Sequence, residues 1–92
     1  MDSAREQKLL ENIGKQIAHT RRAHGLTQQQ LAEKIDLSVV AIAYIETGKR
    51  WPRLKTLDRI ARTLKVPMSD FFDGVDSPNK LRTTRYIVEP EQ

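Results

Sequence analysis

The chain has 92 residues, no cysteine and a formal net charge of +4. That length suits one domain that must bury its apolar surface economically. The lack of cysteine excludes disulfides and thiolate zinc sites and fits a reducing compartment, with the cytoplasm as the default. The N-terminal MDSAREQKLL has no signal-peptide apolar core, and the longest apolar run, Val39 to Ile45, is far too short to span a bilayer, so a soluble protein with no membrane role is expected.

Ser3 followed by Glu6 makes a capping box, which predicts a first helix from about Ala4 to His24, terminated by Gly25. Leu9, Leu10, Ile13 and Ile17 supply its inward stripe. Gly14 inside it costs about 1 kcal/mol relative to alanine, and close approach of another helix would explain its presence. Thr27 and Gln30 form a second capping box, with Leu26 placed to pack on Leu31 as a hydrophobic staple. The second helix then runs Gln28 to Ile35, turning Leu31, Ala32 and Ile35 inward and leaving Gln28, Gln29, Glu33 and Lys34 largely wet.

Asp36 tolerates the left-handed backbone better than most residues, and Ser38 can cap a new helix beginning near Val39. By periodicity alone VVAIAYI could equally be a buried strand. The caps at Ser38 and Gly48 and the helical neighbours decide for a helix, with Ala41, Ile42 and Ile45 inward and Val39, Val40, Ala43, Tyr44 and Thr47 outward. Two short helices joined by so tight a turn have the dimensions that seat a second helix in a DNA groove.

After the basic turn at Pro52 and Arg53, Leu54, Leu57, Ile60, Ala61 and Leu64 recur at helical spacing, stopping before Pro67. Met68, Phe71 and Phe72 suggest a final short helix whose aromatics close the core. From Asp73 the chain becomes turn-forming and polar, and RTTRYIVEP has strand composition with no visible partner. The division expected is a helical unit over 1–74 and a tail over 75–92, which either pairs with its copy in a two-fold dimer or stays a flexible end.

Charge is distributed unevenly. Between Lys49 and Lys65 seven cations stand against the single Asp58, a local net of +6, which leaves −2 for the rest. Beside a helix-turn-helix pattern such a block is the footprint of a phosphate-binding surface. The opening of the second helix, Thr27, Gln28 and Gln29, offers backbone N–H groups where a phosphate can sit, and Lys49, Arg50 and Arg53 are placed for backbone contacts.

The string from Leu26 to Phe72 resembles the Cro/cI-type helix-turn-helix family (the XRE family): Leu26-Thr27-Gln28, Leu31-Ala32, a turn ending at Ser38, Ile42, Ile45, Glu46, Gly48, and Pro52 before Leu54 and Leu57. With the first helix the likeness covers roughly Leu10 to Phe72. It departs at Asp36, where the family usually has glycine, and at Val39, Val40 and Ala43, where relatives often carry polar readers. The resemblance implies an all-α, five-helix lambda-repressor-like domain, an ion pair between Arg21 and Glu46, and Gln28 as a phosphate anchor. The function it implies is a sequence-specific regulator of double-stranded DNA, a dimeric repressor or autoregulator. The alternative is an antitoxin-like or adaptor protein that binds a partner protein and autoregulates its operon, because one fold serves both.

On that reading the outward residues of the third helix meet base edges. None is charged, and none is asparagine or glutamine, so valine and alanine contacts to thymine methyls and the Tyr44 hydroxyl are what remain. No cofactor, metal or catalytic residue is expected. His19 and His24 lie about 140° apart around one helix and make no ligand pair, and no nucleophile motif or phosphate-cradling glycine loop is present.

Overall fold

Capping and apolar spacing together set the element boundaries. The computed structural model describes residues 3–73, in which α1 (Ser3–Ala23), α2 (Gln28–Ile35), α3 (Val39–Glu46) and α4 (Leu54–Leu64) are followed by a 3-10 helix, Met68–Phe72. The Thr27 capping box is complete: the Gln30 N–H donates to Thr27 Oγ1 at 3.0 Å and the Thr27 N–H to Gln30 Oε1 at 2.8 Å. A cap of this kind is worth about 1 kcal/mol. Asp36 ends α2 in the left-handed region at φ 61°, and Ser38 Oγ accepts the Ala41 N–H at 3.1 Å, so the ambiguous VVAIAYI segment is helical.

The two apolar sides meet in one core. Ile17, Leu31, Ile42, Ile60, Leu64 and Phe71 are fully buried at its centre, and Leu26 and Leu37, each one residue before a helix cap, pack on its rim. α3 lies between α2 and α1, while α4 covers α2, and the 3-10 helix closes against α1. The regular elements among the described residues are therefore all helical.

Three expectations need correction. The closing short helix is of the 3-10 type, and of its two aromatics only Phe71 enters the core while Phe72 is 42% exposed. At three residues per turn adjacent side chains diverge by about 120°, so one packed core cannot receive both. Leu54 is 70% exposed, because it stands one turn before the buried series Leu57, Ile60, Ala61 and Leu64 begins. Leu9 on α1 is only half-buried. The strand read at Arg82 to Glu89, with the tail over 75–92, lies outside the described residues.

Candidate nucleic-acid interface

Gln7, Gly14 and Arg21 are seven residues apart on α1 and so share one face. That face holds the C-terminal end of α3. Gln7 Nε2 donates to the Gly48 carbonyl at 3.0 Å. At Gly14 the backbones approach so closely that a Cβ would lie 2.5 Å from the carbonyl oxygens of both Ile45 and Glu46. Arg21 and Glu46, both buried, form a forked pair: Nε to Oε2 at 2.7 Å and an Nη2 donor to Oε1 at 3.0 Å. The remaining guanidinium nitrogen donates to the Leu26 carbonyl at 2.8 Å, and Gln28 Nε2 donates to Glu46 Oε1 at 2.9 Å. Glu46 thus ties α1, the opening of α2 and the end of α3 to one another. Gly48 adds a sharp exit at φ 77°, packed so tightly on Glu11 that a side chain would meet its Cγ at 2.7 Å.

Held in this way, α3 turns a fixed face to solvent. Val39, Val40 and Tyr44 are exposed at 40%, 54% and 43%, Thr47 is exposed, and Ala43 is half-buried between them. The Thr47 hydroxyl donates to the Ala43 carbonyl at 2.7 Å, which leaves it only acceptor capacity toward a ligand. Arg50 lies over the Tyr44 ring, its guanidinium carbon 5.8 Å from the centroid.

The phosphate candidates divide. Thr27 and Gln29 are exposed, and helix geometry leaves the N–H groups of Gln28 and Gln29 without an intrahelical acceptor. The Gln28 side chain, expected wet, is half-buried because its amide serves Glu46. Lys49, Arg50 and Arg53 are exposed after α3, and Arg50 and Arg53 flank a groove of about 520 Å³ floored by Leu37, Ala41 and Ile45 and edged by the exposed Trp51. Two more members of the basic block are used differently. Arg59 donates to the Ile35 carbonyl at the end of α2 at 3.3 Å, and Arg62 pairs with Asp58 at 3.2 Å. The Gln7, Gln28 and Arg59 contacts are not evident from the sequence. Only the seven-residue spacing of Gln7, Gly14 and Arg21 was there to signal one of them.

Among the described residues no group of three or more His, Asp or Glu side chains is placed to hold a metal ion, and no helix is long and apolar enough to cross a membrane. What the geometry defines is a helix-turn-helix unit with an outward second helix. A helix-turn-helix family model matches residues 17–71, and the chain belongs to that family, the Cro/cI-type DNA-binding regulators.

Similar proteins include the HTH-type transcriptional regulator PuuR of Escherichia coli, 31% identical over 67 residues, which is 73% of this chain and 36% of that protein. The immunity repressor of Bacillus phage phi105 is 40% identical over 57 residues, 62% of this chain and 40% of the repressor. The chain thus spans well under half the length of these two relatives. Among solved structures, the restriction-modification controller protein C.AhdI from Aeromonas hydrophila superposes with a TM-score of 0.66 at 27% identity, covering 68% of this chain and 96% of that one.

Proposed function

We propose that this chain is a sequence-specific regulator that binds double-stranded DNA as a dimer, acting as a repressor or autoregulator. α3 enters the major groove and the opening of α2 and the residues after α3 grip phosphates. The observation that carries this reading is the immobilised α3: its C-terminal carboxylate is bound by Arg21 and Gln28, while Val39, Val40 and Tyr44 stay exposed on the far side. A helix that only filled a core would not need its exposed apolar face held in register. The immunity repressor and the controller protein among the similar proteins support the regulatory reading. Residues 1–74 form the DNA-binding unit, and residues 75–92 contribute to the dimer contact. Truncation after Gly74 should raise the concentration at which the dimer dissociates in sedimentation, and an unchanged constant would return the contact to the helical unit.

Selection of bound sequences from a random DNA pool tests the function. The expected product is a two-fold repeat of half-sites rich in A·T pairs, because the reading face is apolar and suits thymine methyls. Discrimination at each α3-read position should be modest, since a buried methyl contributes only about 0.8 kcal/mol against about 1 to 3 for a bidentate base contact. Val40→Ala should alter which bases are enriched. Failure to enrich any sequence would sink the proposal.

A second reading has its own support. Val39, Val40 and Tyr44 are exposed along α3 with the half-buried Ala43 between them, an apolar strip of the kind a protein partner covers. An antitoxin-like or adaptor protein would use that surface for a partner protein, with DNA binding as its autoregulatory arm. Copurification with a partner that competes with DNA for Val40 would favour it.

A further inference from the structure

The outward face of α3 is poor in donors. Val39, Val40 and Ala43 have none, and the Thr47 hydroxyl is spent on its own helix. Immediately beyond α3 the chain reverses: Gly48 adopts φ 77° and the Lys49 N–H donates to the Tyr44 carbonyl at 2.8 Å. That reversal brings residue 50 back beside residue 44. The Arg50 guanidinium rests 5.8 Å from the centre of the Tyr44 ring, itself on the exposed side of α3.

A phosphate presents acceptor oxygens on several sides and can be met even by a lysine acting as a point charge, so an arginine that only met phosphate would gain less from a platform. Reading guanine is different, because the O6 and N7 acceptors must both be met by one planar fork. An aromatic ring beneath a guanidinium limits its orientation and lowers the freedom it loses on binding. Resting on the proposed DNA-binding function, we propose that Arg50 is a base-reading residue. It contacts a guanine at the edge of the A·T-rich half-site, with the Tyr44 ring as its platform. The planar reader that α3 itself lacks is thereby supplied from the turn that follows it.

The test is enrichment from a random double-stranded DNA pool by the full chain and by Arg50→Lys, Arg50→Ala, Tyr44→Phe and Tyr44→Leu, each checked for wild-type helicity by circular dichroism. The wild-type chain should enrich a guanine at one position of each half-site, preferred about tenfold or more over other bases. Arg50→Lys keeps the charge and should bind half-sites lacking that guanine within a few-fold of wild type while losing the preference itself. Tyr44→Phe retains the ring and should retain the preference, whereas Tyr44→Leu should lose most of it.

Uniform weakening across all positions in both Arg50 variants, with the guanine preference intact, would reduce Arg50 to a phosphate contact and overturn the proposal. A wild-type motif with no guanine would overturn it equally, yet leave the DNA-binding function standing. Enrichment of no sequence at all would overturn both.

Discussion

Glu46 accepts from two guanidinium nitrogens of Arg21 and from Gln28, and is sealed from water on the inner side of α3. Arg21→Ala or Glu46→Ala should therefore destabilise the fold by about 3 to 5 kcal/mol, because each leaves a buried charge without its partner. The double replacement Arg21→Met with Glu46→Leu should cost less than either single alanine, as apolar substitutes leave no orphaned charge. Urea unfolding midpoints measure all three, and single variants within about 1 kcal/mol of wild type would contradict the argument. Gly14→Ala is a sharper case. Helix propensity favours alanine by about 1 kcal/mol, but the new methyl would meet two backbone carbonyls at 2.5 Å, and backbone cannot rotate away. Overpacking of about 1 to 3 kcal/mol should win, so the midpoint falls. A raised midpoint would mean that α3 can slide outward. The reason for Gly14 was legible as close approach of some helix. Which helix, and that it is carbonyl oxygen that crowds it, required the tertiary arrangement.

The elements themselves were readable because their ends carry local chemistry. Thr27 with Gln30, Asp36, Ser38 and Gly48 each act on neighbours within a few residues, so sequence alone placed α2 and α3 and resolved a segment that periodicity left open. What failed were inferences from apolarity without an end signal, at Leu54 and Phe72, where hydrophobic character does not say which turn or which side of a helix the rest of the chain covers. Gln28 failed for the opposite reason, since its amide is committed to Glu46, eighteen residues away in sequence. One terminus escaped notice. α4 ends on Lys65 in the left-handed region at φ 59°, a conformation that costs a β-carbon-bearing residue roughly 1 to 2 kcal/mol. Glycine removes that cost but loses more backbone freedom on folding, roughly 0.5 to 1 kcal/mol. Lys65→Gly should thus raise stability by a few tenths to about 1 kcal/mol, measured by thermal unfolding. Asp36→Gly should gain less, because aspartate already tolerates that region. A loss of stability in Lys65→Gly would show that the lysine stem packs usefully on α4.

Over the whole molecule the cations are distributed among different tasks. Seven basic residues between Lys49 and Lys65 read as one block in sequence, yet they do not serve one purpose. Arg59 donates to the carbonyl ending α2, and Arg62, on the same helix, pairs with Asp58 across exposed surface. Lys49, Arg50 and Arg53 remain at the end of α3 and the start of α4, beside the exposed face and the groove edged by Trp51. If each phosphate met by a cation contributes about 0.9 to the slope of log affinity against log salt, Lys49 and Arg53 give about −2 per bound chain, with Arg50 spent on a base, against roughly −6 for all seven. Titrations at several salt concentrations separate these values. Lys49→Ala and Arg53→Ala should each reduce the slope by about 1 and weaken all sequences alike. Arg59→Ala should leave the slope unchanged while lowering stability by about 1 kcal/mol, since the Ile35 carbonyl loses its donor. Arg62→Ala should change neither by much, because both members of its pair are at least half exposed and such pairs contribute about 0 to 1 kcal/mol. A slope near −6, or one that Arg59→Ala reduces, would place the face of α4 on the DNA and enlarge the interface beyond the end of α3.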